Sequence, residues 1–140
     1  MNELLIMNTE KQLYNAAKQI IEERYPAGWG GAAAIRVADG TILTSVSPEV
    51  GNDALSLCME VGALLEANKL NQSVTHSLCI YRESENSECI ILTPCGICQE
   101  RLIVWGKDVQ VAISNSENIL QFLSLNQLMP YHWSQVNKRN

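Results

Sequence analysis

Apolar side chains recur at helical spacing early in the chain, where Leu13, Ala16, Ala17, Ile20 and Ile21 would share one face. Asn8 or Thr9 stands where a helix cap belongs, and Tyr25-Pro26 ends the pattern because the residue before a proline is driven out of helical geometry. A glycine-rich turn, Gly28 to Gly31 around Trp29, leads out of this helix. The period then shortens. Ala32 to Val37 and Thr41 to Val46 read as two strands joined at Asp39-Gly40, a pair suited to a tight hairpin connection.

Ser47 to Asn52 reads as a loop into a second helix, from about Ala54 to Lys69, with Cys58 and Glu60 near its start and Val61, Leu64 and Leu65 as core contacts. Val74 to Tyr81 reads as a third strand, Arg82 to Glu88 as a solvated turn, and Cys89 to Leu92 as a strand apolar enough for the middle of a sheet. A third helix is entered through Pro94, a residue favoured at first helical positions, and runs to about Trp105. Val109 to Ile113 and Ile119 to Leu123 are further strands, and Ser124 starts a short helical turn ending at Met129-Pro130. The tail Asn137 to Asn140 reads as a disordered end. Strands joined through helices imply parallel pairings, so a mixed sheet with helices on both faces is the most economical packing.

The length fits a single domain over residues 1–140, and no internal repeat or long linker divides it. Ten Lys+Arg against 15 Asp+Glu give a formal charge of −5, with no basic run to neutralise phosphates, so a long nucleic acid is not the expected partner. Leu4-Leu5-Ile6 is too short for a secretory apolar segment and no stretch is long enough to span a bilayer, so the expectation is a cytoplasmic protein with no membrane partner. Five cysteines, an odd number, then argue for reduced thiols rather than a disulfide framework.

Three of those cysteines carry the chemistry. Cys58-Met59-Glu60 is followed, after an intervening stretch, by Thr93-Pro94-Cys95-Gly96-Ile97-Cys98. Zinc deaminases pair a His or Cys ligand two residues before a glutamate with a later Pro-Cys-x-x-Cys. Zn2+ takes four tetrahedral ligands, and a catalytic site draws only three from protein; Cys58, Cys95 and Cys98 are three. The two-residue gap lets Cys95 and Cys98 reach one metal from a helix's first turn, where free N–H groups stabilise thiolates. A carboxylate two positions from a ligand would point away from it inside a regular helix, so Cys58 must sit in an irregular first turn if Glu60 is to serve as proton carrier.

On these motifs, and over Tyr25 to Pro130, the chain resembles the cytidine deaminase family: its small zinc enzymes acting on free nucleosides, and the related blasticidin-S deaminases. The resemblance implies a three-layer α/β/α sandwich with a mixed five-stranded sheet, and a homotetramer. It implies hydrolytic attack at C4 of a cytosine ring, Glu60 moving protons to N3 and then to the departing ammonia, and the backbone N–H of Cys95 facing the developing tetrahedral centre. Trp29, Ser47 and Glu49 fall where nucleoside-type members place a Phe and the Asn and Glu that bind ribose. Leu128-Met129-Pro130 matches the family's Leu-Leu-Pro, and Tyr131 and Trp133 follow where members place an aromatic near a neighbouring subunit's site. Members offset the negative charge of three thiolates on one dication with an arginine directly after the glutamate or between the paired cysteines. Here those positions hold Val61 and Ile97, and Arg101 is the nearby candidate for charge compensation.

The retained Glu49 points to cytidine or deoxycytidine as substrate. Val61 and Ser47 keep a blasticidin-S-like or other modified cytosine nucleoside as the alternative. A non-catalytic zinc module or redox dithiol is the second alternative, since a bare Cys-x-x-Cys fits either. Cys79 and Cys89 read as buried core thiols, and His76 as a satisfied or exposed imidazole; His132 has no evident partner.

Overall fold

The computed structural model describes residues 3–136, so the expectation for residues 137–140 lies outside it. Helix α1 (Glu3–Arg24) starts ahead of the expected cap: Thr9 is internal, its hydroxyl donating to the Leu5 carbonyl at 3.1 Å. The residues before it include Glu3, Leu4 and Leu5, good helix formers, and the acidic Glu3 suits the positive end of the dipole. Strands β1 (Gly30–Val37) and β2 (Ile42–Ser45) form the expected antiparallel hairpin, with Gly40 at φ +94° and the Asp39 carboxylate accepting from the Thr41 N–H at 2.8 Å.

A 3-10 turn (Asp53–Leu55), capped by Asn52, precedes α2 (Val61–Lys69), followed by β3 (Val74–Arg82), β4 (Ile90–Leu92) and α3 (Gly96–Leu102), which tightens into a 3-10 turn at Ile103–Trp105. Strands β5 (Gln110–Ala112) and β6 (Phe122–Ser124) come next. The chain then enters α4 (Leu125–Leu128), where Ser124 and Gln127 form a capping box, and a last 3-10 turn (Trp133–Val136). Leu65, expected in the core, is exposed, because the buried face of α2 runs through Val61, Ala63, Leu64 and Ala67.

The sheet order is β2-β1-β3-β5-β6, with β4 also paired to β3. Among the described residues it has six strands, the number the sequence pattern gives, rather than the five the resemblance implies; two short strands share one edge of β3, β5 pairing with His76 and Ser77 and β4 with Cys79 to Tyr81. Among the described residues only β3 and β5 pair in parallel; β2 and β3 flank β1 on opposite sides, and each runs antiparallel to it. One face packs α1 through Leu13, Ala17 and Ile21 onto Ala32, Ala34, Leu78 and Ile80. The other packs Leu64 and Ala67 of α2 and Leu102 of α3 onto Ile35, Val37 and Val111. The result is the expected α/β/α layering. Among the described residues no helix is long and apolar enough to cross a membrane.

Candidate active site

The second helix does not begin at Ala54. Ser56 is already extended, Cys58 leads into a turn over Met59 and Glu60 closed by the Val61 N–H on the Cys58 carbonyl at 3.2 Å, and Glu60 is the N-cap of α2. Cys58 therefore stands off the helix, as the two-residue spacing requires. The turn is held from β2: the Ser45 hydroxyl donates to the Met59 carbonyl at 2.6 Å and accepts the Ala63 N–H at 3.0 Å. Gly62 makes that approach feasible, since a Cβ there would lie 2.9 Å from the Ser45 Cβ.

The paired Cys95 and Cys98 open α3 at the far end of β4. Thr93 and Ser114 exchange hydrogen bonds at 2.8 and 3.0 Å, anchoring the strand end beside β5. Pro94 is not the first helical residue; Cys95, at φ −65° and ψ 166°, is the N-cap, and Pro94 precedes it with its carbonyl bonded by the Gln99 amide at 2.8 Å. Burial disfavours ionisation at Cys95, yet the N–H groups of Cys98 and Ile97 and the neighbouring thiols outweigh it, and its pKa is lowered. Burial, and then the Glu60 carboxylate, push the Cys98 thiol up. Against that, the Arg101 guanidinium donates to the Cys98 sulfur at 3.4 Å.

The three Sγ atoms of Cys58, Cys95 and Cys98 lie within 4.8 Å of one another, with Cys58 and Cys95 3.4 Å apart. Tetrahedral thiolates at about 2.3 Å from zinc stand about 3.8 Å apart, so this donor set fits that ion with little adjustment. Thiolates suit zinc better than the hard cations that prefer oxygen.

Glu60 is 3% exposed and shares with Cys58, Cys95, Ser47 and Thr93 a cavity of about 220 Å³. Cys79 also lines it, donating its thiol to Glu60 Oε2 at 2.6 Å. Burial, and then the charge of Glu60, push the Cys79 thiol well above its ordinary value, so it stays a protonated donor. The sequence reading of Cys79 as a buried thiol holds, but its partner was missed. The alternation of β3 is the signal: Leu78 and Ile80 face α1, so Cys79 faces the side of α2.

The other sequence candidates are not all brought together. Trp29 is half-exposed and packs over Gly31 beside Met59, which lines the cavity; Trp29 itself does not. Glu49 also lies outside the lining, its carboxylate accepting from the exposed Arg24 at 2.9 Å. His132, without an evident partner in sequence, is buried with Nε2 2.7 Å from Glu100 Oε2, and the Trp133 indole donates to the same carboxylate at 3.0 Å. His76 is half-buried away from the cavity, where burial, and then Arg36, lower its pKa to about 4.

No protein-family model and no curated protein matches the chain. Among solved structures it is similar to the cytidine deaminase from Bacillus anthracis, with 57% identity over 91% of each chain and a TM-score of 0.89. More distant likenesses, which speak to the fold, include the cytidine deaminases from Burkholderia pseudomallei (21% identity, 88% of this chain and 98% of that one, TM-score 0.67) and Mycobacterium leprae (22%, 86% and 96%, TM-score 0.66).

Proposed function

The chain belongs to the cytidine deaminase family, and from that footing we propose that it hydrolyses cytidine or deoxycytidine to the uracil nucleoside and ammonia, with zinc as cofactor. One observation carries the reading: three cysteine sulfurs converge within 4.8 Å of one another, and two of them, Cys58 and Cys95, line with the buried Glu60 a cavity of about 220 Å³. A redox dithiol or structural clip needs neither the third sulfur nor the acid.

Cys58, Cys95 and Cys98 would hold the metal, and zinc bound there supplies a Lewis acid that lowers the pKa of water towards about 7. Glu60 takes a proton from the attacking water, gives it to ring N3 as the oxygen adds at C4, and carries the second proton to the amino group, which leaves as ammonia. Its burial keeps these transfers out of bulk solvent. In this reading the Cys95 N–H stabilises the tetrahedral centre and Ser47 bonds a sugar hydroxyl, roles supported by both residues lining the cavity. The Arg101 bond to Cys98 supports a role in offsetting thiolate charge.

The Arg24–Glu49 pair favours a second reading on the sugar side. With Glu49 engaged outside the cavity, a modified cytosine nucleoside such as blasticidin S becomes a candidate substrate. Purified protein with measured zinc content, offered cytidine, deoxycytidine and blasticidin S, separates these by loss of the 4-amino absorbance and release of ammonia. Zinc bound without deamination of any of the three would overturn the enzymatic reading. We further propose a homotetramer, supported by apolar side chains left outward on α2 (Leu65, 61% exposed), on α3 (Ile97, 63%) and on the 3-10 turn that follows it (Val104, 75%); sedimentation equilibrium tests it.

A further inference from the structure

We propose that Cys79 is a positioning residue that fixes the Glu60 carboxylate through a thiol hydrogen bond, aiming the acid at the three clustered sulfurs. The inference rests on the reading of Glu60 as proton carrier.

Glu60 has three side-chain torsions, and as the N-cap of α2 it makes no side-chain bond to its own helix. Nothing in the helix start therefore sets where its carboxylate points. That direction is set from the sheet. Cys79 lies in the middle of β3, opposite Ala33 of β1 on one side and Leu92 of β4 on the other, so its backbone is pinned on both edges. Its side chain is almost fully buried, lines the same cavity as Glu60, and stands 2.6 Å from Oε2. A thiol is a weak donor, which suits this task. An arginine or lysine at position 79 would orient the carboxylate equally well, but it would bury a fixed charge in the sheet beside it. An uncharged S–H restricts the rotamer without adding a charge. Cys79 does not reach the substrate in this scheme; it acts only through Glu60.

The zinc-loaded protein, Cys79→Ala and Cys79→Ser are compared for kcat and KM on cytidine and for zinc content. Loss of one hydrogen bond of this class should lower kcat of Cys79→Ala about tenfold with KM within about twofold and zinc content unchanged, and the hydroxyl of Cys79→Ser should bring kcat back to within about threefold. A second readout needs no Cys79 variant to fold. With Cys58, Cys95 and Cys98 ligated as thiolates, Cys79 and Cys89 carry the remaining S–H groups of the five cysteines, and infrared spectra should show one of two S–H bands moving to higher frequency in Glu60→Ala. Unmoved bands overturn the proposal. So does a Cys79→Ala variant that keeps kcat or loses it only in step with zinc, or a Cys79→Ser variant as slow as the alanine one. Absence of deamination by the unmodified, zinc-loaded protein would remove the function itself; retained kcat in Cys79→Ala beside an active parent removes this inference alone.

Discussion

Replacing Gly62 by alanine should weaken the fold and, more strongly, the site. A Cβ there would stand 2.9 Å from the Ser45 Cβ, well inside the separation of about 3.5–4.0 Å at which carbon atoms pack. Helix propensity alone points the other way, since alanine in a helix gains about 1 kcal/mol over glycine. Relieving the overlap costs about 1–3 kcal/mol. Moving Ser45 or α2 also strains the bonds from the Ser45 hydroxyl to Met59 and Ala63, each worth about 1 kcal/mol. The sum is a net loss of about 2–4 kcal/mol, or a fall in melting midpoint of roughly 4–16 °C for a chain of this size. Turnover should drop by roughly 10- to 100-fold, because the same turn carries Cys58 and Glu60 and small displacements at reacting groups are costly. Thermal unfolding at fixed protein concentration and steady-state deamination would be read beside Gly51→Ala. A Cβ at Gly51 meets nothing within 4 Å, so that control should stay within about 0.5 kcal/mol. A Gly62→Ala protein that melts higher and keeps its turnover would refute the reasoning.

Glu60→Gln should lose at least roughly 100-fold in kcat while zinc content and melting midpoint stay put; retained turnover would exclude it as proton carrier. Arg101→Ala removes the cation on Cys98, so the acid limb of the kcat–pH profile should move to higher pH, and an unchanged profile takes Arg101 out of the mechanism. Arg24→Ala frees Glu49 from its ion pair, which should lower KM for cytidine if Glu49 binds the sugar; an unaltered KM assigns Glu49 to the surface. His76 has a folded pKa of about 4 against 6.5, so the unfolded chain binds the extra proton. Its contribution is complete above about pH 6.5 and is lost as pH falls from 6.5 towards 4. His76→Gln should flatten that part of a stability–pH curve, and an identical slope in both proteins contradicts the assignment.

Much of the architecture was legible because its causes are local. The helical period of Leu13, Ala17 and Ile21, the Asp39-Gly40 turn and the Ser124 cap each depend on residues a few positions apart, and each appears in the fold. Position along the strands was less legible. The six strands were each readable as segments, but that two short ones share one edge of β3 was not, because periodicity carries no information about which edge a strand joins.

The zinc-ligand candidates follow the same division. Cys58-x-Glu60 and Pro94-Cys95-x-x-Cys98 announce themselves because ligand spacing within one turn is a property of the chain. Their convergence is not. The start of α2 at Val61 rather than Ala54 depends on Ser45, reaching 18 residues along the sequence to Ala63. The Cys79 bond to Glu60 depends on which face of β3 meets α2, and the pairing of Glu49 with Arg24 on the end of α1 reaching the loop after β2. Short-range geometry is written into neighbouring residues; the partner of a buried or distant side chain is chosen only when strand order and face are set.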